Sequence, residues 1–135
     1  MERTTVNGDP PHDDAGTIFK IDPQGNESVF FAFSFFGGIT PTSGVSMDAS
    51  GNFYGTTYYG GTLNAACADG CGVVYKIDST GTETVLYGFT GGTDGYGPYG
   101  LVRDSAGNLY GTTAYGGTVN SNCPVGCGVV FKITP

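Results

Sequence analysis

Apolar and polar residues alternate along this chain in short runs, and turn residues separate the runs. In the run GTIFKID at 16–22, for example, Phe19 and Ile21 share one face of a strand. Nowhere do apolar residues recur at helical spacing between capping residues. The pattern therefore predicts an all-β chain. Strands are predicted at 16–22, 27–33, 44–48, 53–57, 72–78, 83–89, 100–104, 108–113 and 128–134.

The strand pattern repeats every 56 residues, as the spacing of Gly16, Gly72 and Gly128 shows. Four short strands per repeat, joined by turns, predict an antiparallel four-stranded meander, which is the shape of a β-propeller blade. A closed propeller needs about four or more blades, so the chain predicts an incomplete propeller within one structural domain. The predicted divisions are the end of a shortened repeat with a connecting loop at 1–15, full repeats at 16–71 and 72–127, and the start of a third repeat at 128–135.

Two sequence motifs carry a family resemblance. The stretch GLVRDSAGNLYGTT, followed in each copy by a G(T/V)(I/V)(F/Y)KI strand, resembles the blades of NHL and gluconolactonase-type propellers. More closely, GNLYGTTAYGG and KIDSTGTETVLYGFTGG resemble the GloVer tandem repeats of bacterial surface and secreted proteins. That resemblance implies a β-propeller-like fold and export, and it implies no reaction and no catalytic residues. By NHL-like phasing, the chain holds the last three strands of one blade, one whole blade and the first three strands of another.

The composition argues against nucleic acid binding and against a transmembrane helix. The net charge is −7 and only 13% of residues are charged, so the surface repels nucleic acid phosphates. No apolar run approaches the ~20 residues of a transmembrane helix. The polar start of the chain also lacks the apolar region of a signal peptide.

Two cysteine pairs occur one repeat apart, Cys67 with Cys71 and Cys123 with Cys127. We predict a disulfide within each pair, because a glycine precedes each second cysteine and lets the chain turn tightly. A four-thiolate zinc site and free thiols are the alternatives, although zinc sites more often use a C-x2-C spacing. Disulfides would indicate an oxidising compartment, in agreement with an extracellular or cell-surface location.

The loops at 34–43 and 90–99 differ most between the copies, and the second is rich in tyrosine. Tyr96 and Tyr99 could stack on a sugar ring, and Asp94 could bind a calcium ion, so this loop is the candidate ligand site. The turn at 104–108 is a second calcium candidate, although neither stretch has an EF-hand ligand series. We predict no resident metal or cofactor.

Other polar residues favour structural interpretations. His12 is the only histidine, and no G-x-S-x-G motif accompanies it to suggest a catalytic triad. Asn26 fits the N-glycosylation pattern. Carboxylates that recur at the repeat period indicate turn capping or cross-strand pairing rather than catalysis. They are Asp22 and Asp78, Glu27 and Glu83, and Asp48 and Asp104.

Two predictions concern packing. The final strand lacks the strand that follows its equivalent at 72–78, so it should present an open edge with Val129, Phe131 and Ile133. Within the second repeat, we predict that two sets of side chains are buried between sheets. They are Val73, Tyr75 and Ile77, and Val85, Tyr87 and Phe89.

The sequence therefore predicts a non-catalytic extracellular structural or interaction repeat protein that self-associates head to tail through unfinished β-sheet edges, by β-strand addition. Because the two ends carry different unfinished surfaces, the product is a ring or a filament, and a filament is favoured. One alternative is a few-bladed carbohydrate-binding lectin that forms a closed oligomeric propeller. The other is a fragment of a lactonase-type propeller enzyme, which would need metal-binding carboxylates in a central channel.

Overall fold

The computed structural model of the protein describes residues 2–5 and 15–134, and it confirms the all-β prediction. Within these residues the chain forms ten strands and no helix. The strands are β1 (Glu2–Thr5), β2 (Thr17–Ile21), β3 (Glu27–Ala32), β4 (Ser46–Met47), β5 (Phe53–Thr57), β6 (Val73–Ile77), β7 (Glu83–Gly88), β8 (Tyr96–Arg103), β9 (Leu109–Tyr115) and β10 (Val130–Ile133).

The strands form three sheets in which every pair of neighbours is antiparallel. Sheet 1 has the order β1-β2-β3, sheet 2 has the order β4-β5-β6-β7, and sheet 3 has the order β8-β9-β10. Sheet 2 takes its first two strands from one sequence repeat and its last two from the next. Sheet 1 corresponds to the last three strands of such a unit, and sheet 3 to the first three. This is the division that the resemblance implied.

Strand lengths differ from the prediction where the copies diverge in sequence. Strand β8 begins at Tyr96 rather than at residue 100, because residues 96–99 continue the ladder with β9. In the preceding copy the equivalent residues 40–43 belong to no strand, and an isolated bridge between Ile39 and Tyr59 lies just before them. Thr40, which follows this bridge, has a positive φ of 61° and interrupts the extended chain.

The tight turns inside the sheets share one device, an Asp that caps its own turn. In the turn between β4 and β5, the Asp48 carboxylate accepts hydrogen bonds from the backbone N–H groups of Ser50 (2.9 Å) and Asn52 (3.0 Å). Gly51 supplies the positive φ of 80° that the turn needs. The turn-capping prediction is therefore confirmed. The same arrangement joins β2 to β3, β6 to β7 and β8 to β9, through Asp22, Asp78 and Asp104.

One glycine in β5 and one in β9 make room for an aromatic ring on the neighbouring strand. Gly55 lies opposite Tyr75, and Gly111 lies opposite Phe131. A Cβ atom at either glycine would collide with the facing ring. The glycine of the YGTT motif and the aromatic residue of the KI strand thus form one packing unit.

Each sheet has two faces, because successive side chains point to opposite sides. Face A carries Ile18 in sheet 1, Val74 in sheet 2 and Val130 in sheet 3. Face B carries the next residue along the same strand, which is Phe19, Tyr75 or Phe131 respectively.

Face A of sheet 1 packs against face B of sheet 2, and face A of sheet 2 packs against face B of sheet 3. In the first contact, the Phe33 ring packs edge-on to Tyr75, with centroids 5.0 Å apart. In the second contact, Phe89 packs on Phe131 at 5.1 Å. Both pairs are related by one repeat. The two apolar clusters that result are the core of the molecule.

The burial prediction is wrong for two residues of β7. Val73, Tyr75, Ile77 and Phe89 are buried as predicted. Val85 and Tyr87, however, are 43% and 40% exposed. A bulge is the reason, because Tyr75 pairs with Val85 and Val74 pairs with Tyr87, which leaves Leu86 as an extra residue. Val85 and Tyr87 therefore lie on opposite faces of an edge strand, and Leu86 packs on the core instead.

The two tyrosines of sheet 2 give a matched test of this packing. We expect Tyr75→Ala to lower the free energy of unfolding by about 3 kcal/mol or more, since a fully buried ring is lost. Tyr87→Ala should cost about 1 kcal/mol or less, because it removes a partly exposed ring and one exposed hydrogen bond. Urea unfolding measures both, and equal losses would contradict the assignment.

Removal of the Tyr75 hydroxyl alone should not destabilise the protein, in contrast to removal of the whole ring. It is buried and has no hydrogen-bond partner among the described residues. Removing an unpaired buried hydroxyl relieves its desolvation cost, so Tyr75→Phe should leave stability unchanged or raise it. The residue at this position in the other two copies is already Phe19 or Phe131. A clear loss of stability in urea unfolding would show that the hydroxyl is satisfied.

Candidate functional site

Face A of sheet 3 is the largest departure from the internal repetition of the molecule. Ile18 and Val74 are both 0% exposed, whereas their equivalent Val130 is 80% exposed. Val102 and Tyr99 on the same face are 67% and 57% exposed. Together with Tyr110 and Thr112, these side chains line a shallow depression of about 400 Å³. No described residue covers this face.

No described strand pairs with the outer edge of β10. Strand β10 pairs with β9 on one side only, whereas its equivalent β6 pairs with both β5 and β7. The residues predicted for this edge are placed differently from Val130. Phe131 and Ile133 pack on the cluster that sheets 2 and 3 share, and half-buried Val129 lies just before the strand. The sequence analysis did not select Val130, and only its alignment with buried Ile18 and Val74 would have marked it.

Face B of sheet 1, at the other end of the molecule, is also apolar. Phe19 and Ile21 are half-buried, although their equivalents Tyr75 and Ile77 are 0% exposed. Val29, which pairs with Phe19 across the sheet, is 55% exposed. By sequence equivalence, face A of sheet 3 and face B of sheet 1 correspond to the two halves of the contact that is formed twice among the described residues.

The structure joins Cys67 to Cys71 and Cys123 to Cys127 by disulfides. An asparagine shapes each loop. The Asn64 side-chain oxygen accepts hydrogen bonds from the N–H groups of Ala66 (2.8 Å) and Cys67 (3.1 Å). Asn120 makes the equivalent bonds in the second loop. The loops differ in burial, because Cys71 is 1% exposed beneath sheet 3 whereas Cys127 is exposed.

The three residues of the predicted ligand loop have three different surroundings. Tyr96 lies in β8 and stacks on Tyr115, with centroids 5.0 Å apart. Tyr99 lies further along β8 on the uncovered face of sheet 3. Asp94 accepts hydrogen bonds from the Tyr87 hydroxyl (3.0 Å) and the Thr90 N–H (2.9 Å). Burial raises the pKa of Asp94, but a hydrogen bond from the Thr90 hydroxyl, together with the other two, outweighs it, and the net pKa is lowered.

A cluster of tyrosines not foreseen from the sequence lies where β5 and β8 approach each other. Tyr58 packs edge-on to Tyr59 at 4.7 Å, and its hydroxyl interacts with that of Tyr115. Burial, followed by this hydrogen bond, raises the pKa of Tyr58 to about 12. Tyr59 and Tyr115 remain 40% and 37% exposed, so the cluster presents aromatic surface to solvent.

The turn carboxylates are held in their charged form. Hydrogen bonds from the Asn52 side chain and backbone, and from the Tyr54 hydroxyl at 3.0 Å, lower the pKa of Asp48 to about 2. Asp104 has the same partners one repeat later, in Asn108 and Tyr110, and its pKa is also lowered. The turn hydrogen bonds of Asp22 and Asp78 likewise lower their pKa values.

Cations cover two of the tyrosines that bond these carboxylates. The Arg103 guanidinium lies 5.7 Å from the centre of the Tyr54 ring, and the Lys132 ammonium lies 5.5 Å from that of Tyr110. Arg103 belongs to sheet 3 and Tyr54 to face A of sheet 2, so the first of these contacts spans two sheets.

Glu83 and Glu27 do not share one role, although they are equivalent in sequence. Glu27 is exposed, whereas Glu83 is half-buried against Gly37, and burial raises the pKa of Glu83. No described residue bonds the Oε1 atom of Glu83. The divergent loop at 34–43 creates this difference, since it brings Gly37 over the carboxyl group.

The remaining candidates have simple placements. Asn26 is exposed, and its side-chain amide donates a hydrogen bond to Asp22 at 2.8 Å. Glycosylation of Asn26 stays a prediction.

His12 lies outside the described residues. Within residues 2–5 and 15–134, no three His, Cys, Asp or Glu side chains gather in a way that could hold a metal ion. In the same part of the chain, no helix has the length and apolar character needed to cross a membrane.

These observations define a class of protein, an open series of antiparallel β-meander repeats stacked face to face. Residues 3–135 match the family model of the Gloeobacter/Verrucomicrobia repeat, and the chain belongs to that family. The predicted resemblance to GloVer repeats is thereby confirmed. The more distant relation to NHL and gluconolactonase-type propellers stays a prediction. A comparison with curated proteins found no match.

The two disulfides allow a matched test of burial. We expect C123S/C127S to lower the free energy of unfolding by about 2 kcal/mol or less, which is the loop entropy of so short a crosslink, and C67S/C71S to lower it by more. The difference arises because C67S/C71S places two hydroxyl groups in a buried site. Urea unfolding of both variants measures it. Equal losses would show that burial of Cys67 and Cys71 is unimportant.

Because the pKa values of the turn carboxylates are lowered, we expect the folded protein to lose stability in acid. Because the folded pKa of Asp48 is about 2 and its ordinary value is 3.8, its stabilisation is complete above pH ~4. It is lost as the pH falls through about 2, and Asp22, Asp78 and Asp104 shift in the same direction. We expect the urea midpoint to fall over this window, and to fall less in Asp48→Asn. A midpoint that is constant from pH 5 to pH 2, or an unchanged slope in the variant, would contradict this account.

Proposed function

We propose that this protein is a non-catalytic structural and interaction module that acts outside the cell and associates head to tail with copies of itself. The observation that carries the proposal is that sheets 1 and 3 are partial copies of sheet 2, each with an apolar face that no described sheet covers. Strand β10 adds an edge that is paired on one side only. Apolar faces and unpaired edges are the surfaces through which β proteins associate.

The head-to-tail geometry follows from the unlike ends. Face A of sheet 3 and face B of sheet 1 have different shapes and residues, so a contact between them is heterologous. Such a contact closes into a ring or continues as a filament, depending on the rotation between copies. We favour the filament, in which each copy adds three further sheets to the stack.

Two features support an extracellular and non-catalytic role. Disulfides in both complete repeats suit an oxidising compartment. The recurring Asp carboxylates form hydrogen bonds that close their own turns, which is a structural use. No observation in the described residues favours the lactonase-type alternative.

Carbohydrate binding is a second candidate function, favoured by the tyrosine cluster. Tyr59 and Tyr115 present partly exposed rings beside stacked Tyr96, and aromatic faces are suitable platforms for sugar rings. The site differs from the predicted loop, since Tyr99 and Asp94 do not belong to the cluster. Glycan binding that is lost in Tyr115→Ala, by a protein that stays monomeric, would favour this function over self-association.

Sedimentation tests the main proposal. We expect the 135-residue chain to sediment at micromolar concentration as particles larger than its 13.9 kDa monomer. Each copy carries a net charge of −7, so copies repel one another. Raising the salt from about 0.05 M to 0.5 M should therefore enlarge the particles, because it shortens the Debye length. A monomer at every salt concentration would contradict the proposal.

A further inference from the structure

We propose that face A of sheet 3 is the docking surface for a second copy of this chain, which binds it through face B of its sheet 1. This contact would repeat, between copies, the packing that joins sheet 1 to sheet 2 and sheet 2 to sheet 3 inside each copy. The inference rests on the proposed self-association and names the surfaces through which it occurs.

The first argument is that the chain forms the same contact twice. Its centre on face A is Ile18 in the first contact and Val74 in the second, and both are 0% exposed. Ala15 and Cys71, three residues earlier in the chain, are 5% and 1% exposed. The third members of these series are Val130 and Cys127, and both are exposed. The third members of the pattern are thus present in sequence, and no described sheet covers them.

The second argument is that the uncovered face is more apolar than its covered equivalent. One repeat earlier, the position of Val102 is held by Ser46 of β4, and that of Tyr99 by Ser43, which lies just before β4. A face that remained in water would be expected to change in the opposite direction, toward polar residues. Larger apolar side chains at exposed positions indicate a surface that is covered when the protein functions.

The third argument is that face B of sheet 1 fits the role of occupant. Phe19 and Ile21 stand where Tyr75 and Ile77 stand in sheet 2, and these two are fully buried beneath face A of sheet 1. A second copy therefore supplies an aromatic and an aliphatic side chain at the positions that the contact uses.

Face docking differs from strand addition at β10. Strand addition would satisfy the backbone groups of the open edge but would leave Val130, Val102 and Tyr99 in water. Face docking covers these side chains and reproduces a geometry that is already stable twice in the chain. The two modes can be separated by substitutions that change the face without changing the backbone.

Three single substitutions and one mixture test the inference by analytical ultracentrifugation. Val130→Lys places a charge at the centre of face A, and Ile21→Lys places one on face B, opposite Glu27, which favours the lysine. Val119→Lys is the matched control, since Val119 is 63% exposed in the loop that precedes Cys123. Circular dichroism checks that each variant is folded.

We expect both face variants to sediment as monomers and the control to assemble like the parent. Each face variant keeps one intact face, so an equimolar mixture of V130K and I21K should form a capped pair of about twice 13.9 kDa. A V130K protein that assembles like V119K would overturn the inference and leave self-association standing. A parent chain that is monomeric would instead remove the proposed function itself. Should I21K fail to fold, the comparison of V130K with V119K decides alone.

Discussion

The packing of face A on face B is the interaction on which this structure depends. Each sheet has only three or four strands, and a sheet of this size buries side chains only where a second layer covers it. Sheet 2 is covered on both faces, and it holds Val73, Val74, Tyr75 and Ile77, all at most 1% exposed. Within residues 15–134, sheets 1 and 3 are each covered by another sheet on one face. Burial therefore falls from the centre of the series toward its ends.

Close approach of the sheets explains why the chain uses so many glycines. Gly55 leaves space for the Tyr75 ring, and Gly72 leaves space for Pro98 of the next sheet. The backbone N–H of Gly100 donates a hydrogen bond to the Thr56 hydroxyl at 3.1 Å, across the contact between sheets 2 and 3. The contact thus combines aromatic packing with a polar link between strands β5 and β8. Glycine thus allows the sheets to pack closely, in addition to allowing the turns.

The repeat period allowed most of the architecture to be predicted. Strand order, the four Asp-capped turns and the division into partial, complete and partial sheets all follow from local pattern and spacing. Burial on β7 was not predicted, because the one extra residue at Leu86 reverses the side chains after it. Alternation alone cannot reveal a bulge. The start of β8 was missed for a different reason. Gly97 and Pro98 usually form turns, yet residues 96–99 pair with β9.

Function is harder to infer from a repeat, because periodic residues mostly report the fold. Asp48 and Asp104 recur because both close a turn, and Gly55 and Gly111 recur because both face an aromatic ring. Information about interactions lies instead where equivalent positions differ. Ser46 becomes Val102 and Ser43 becomes Tyr99 on the one copy of face A that no described sheet covers. Both substitutions lie on the face that we propose as the docking surface for a second copy.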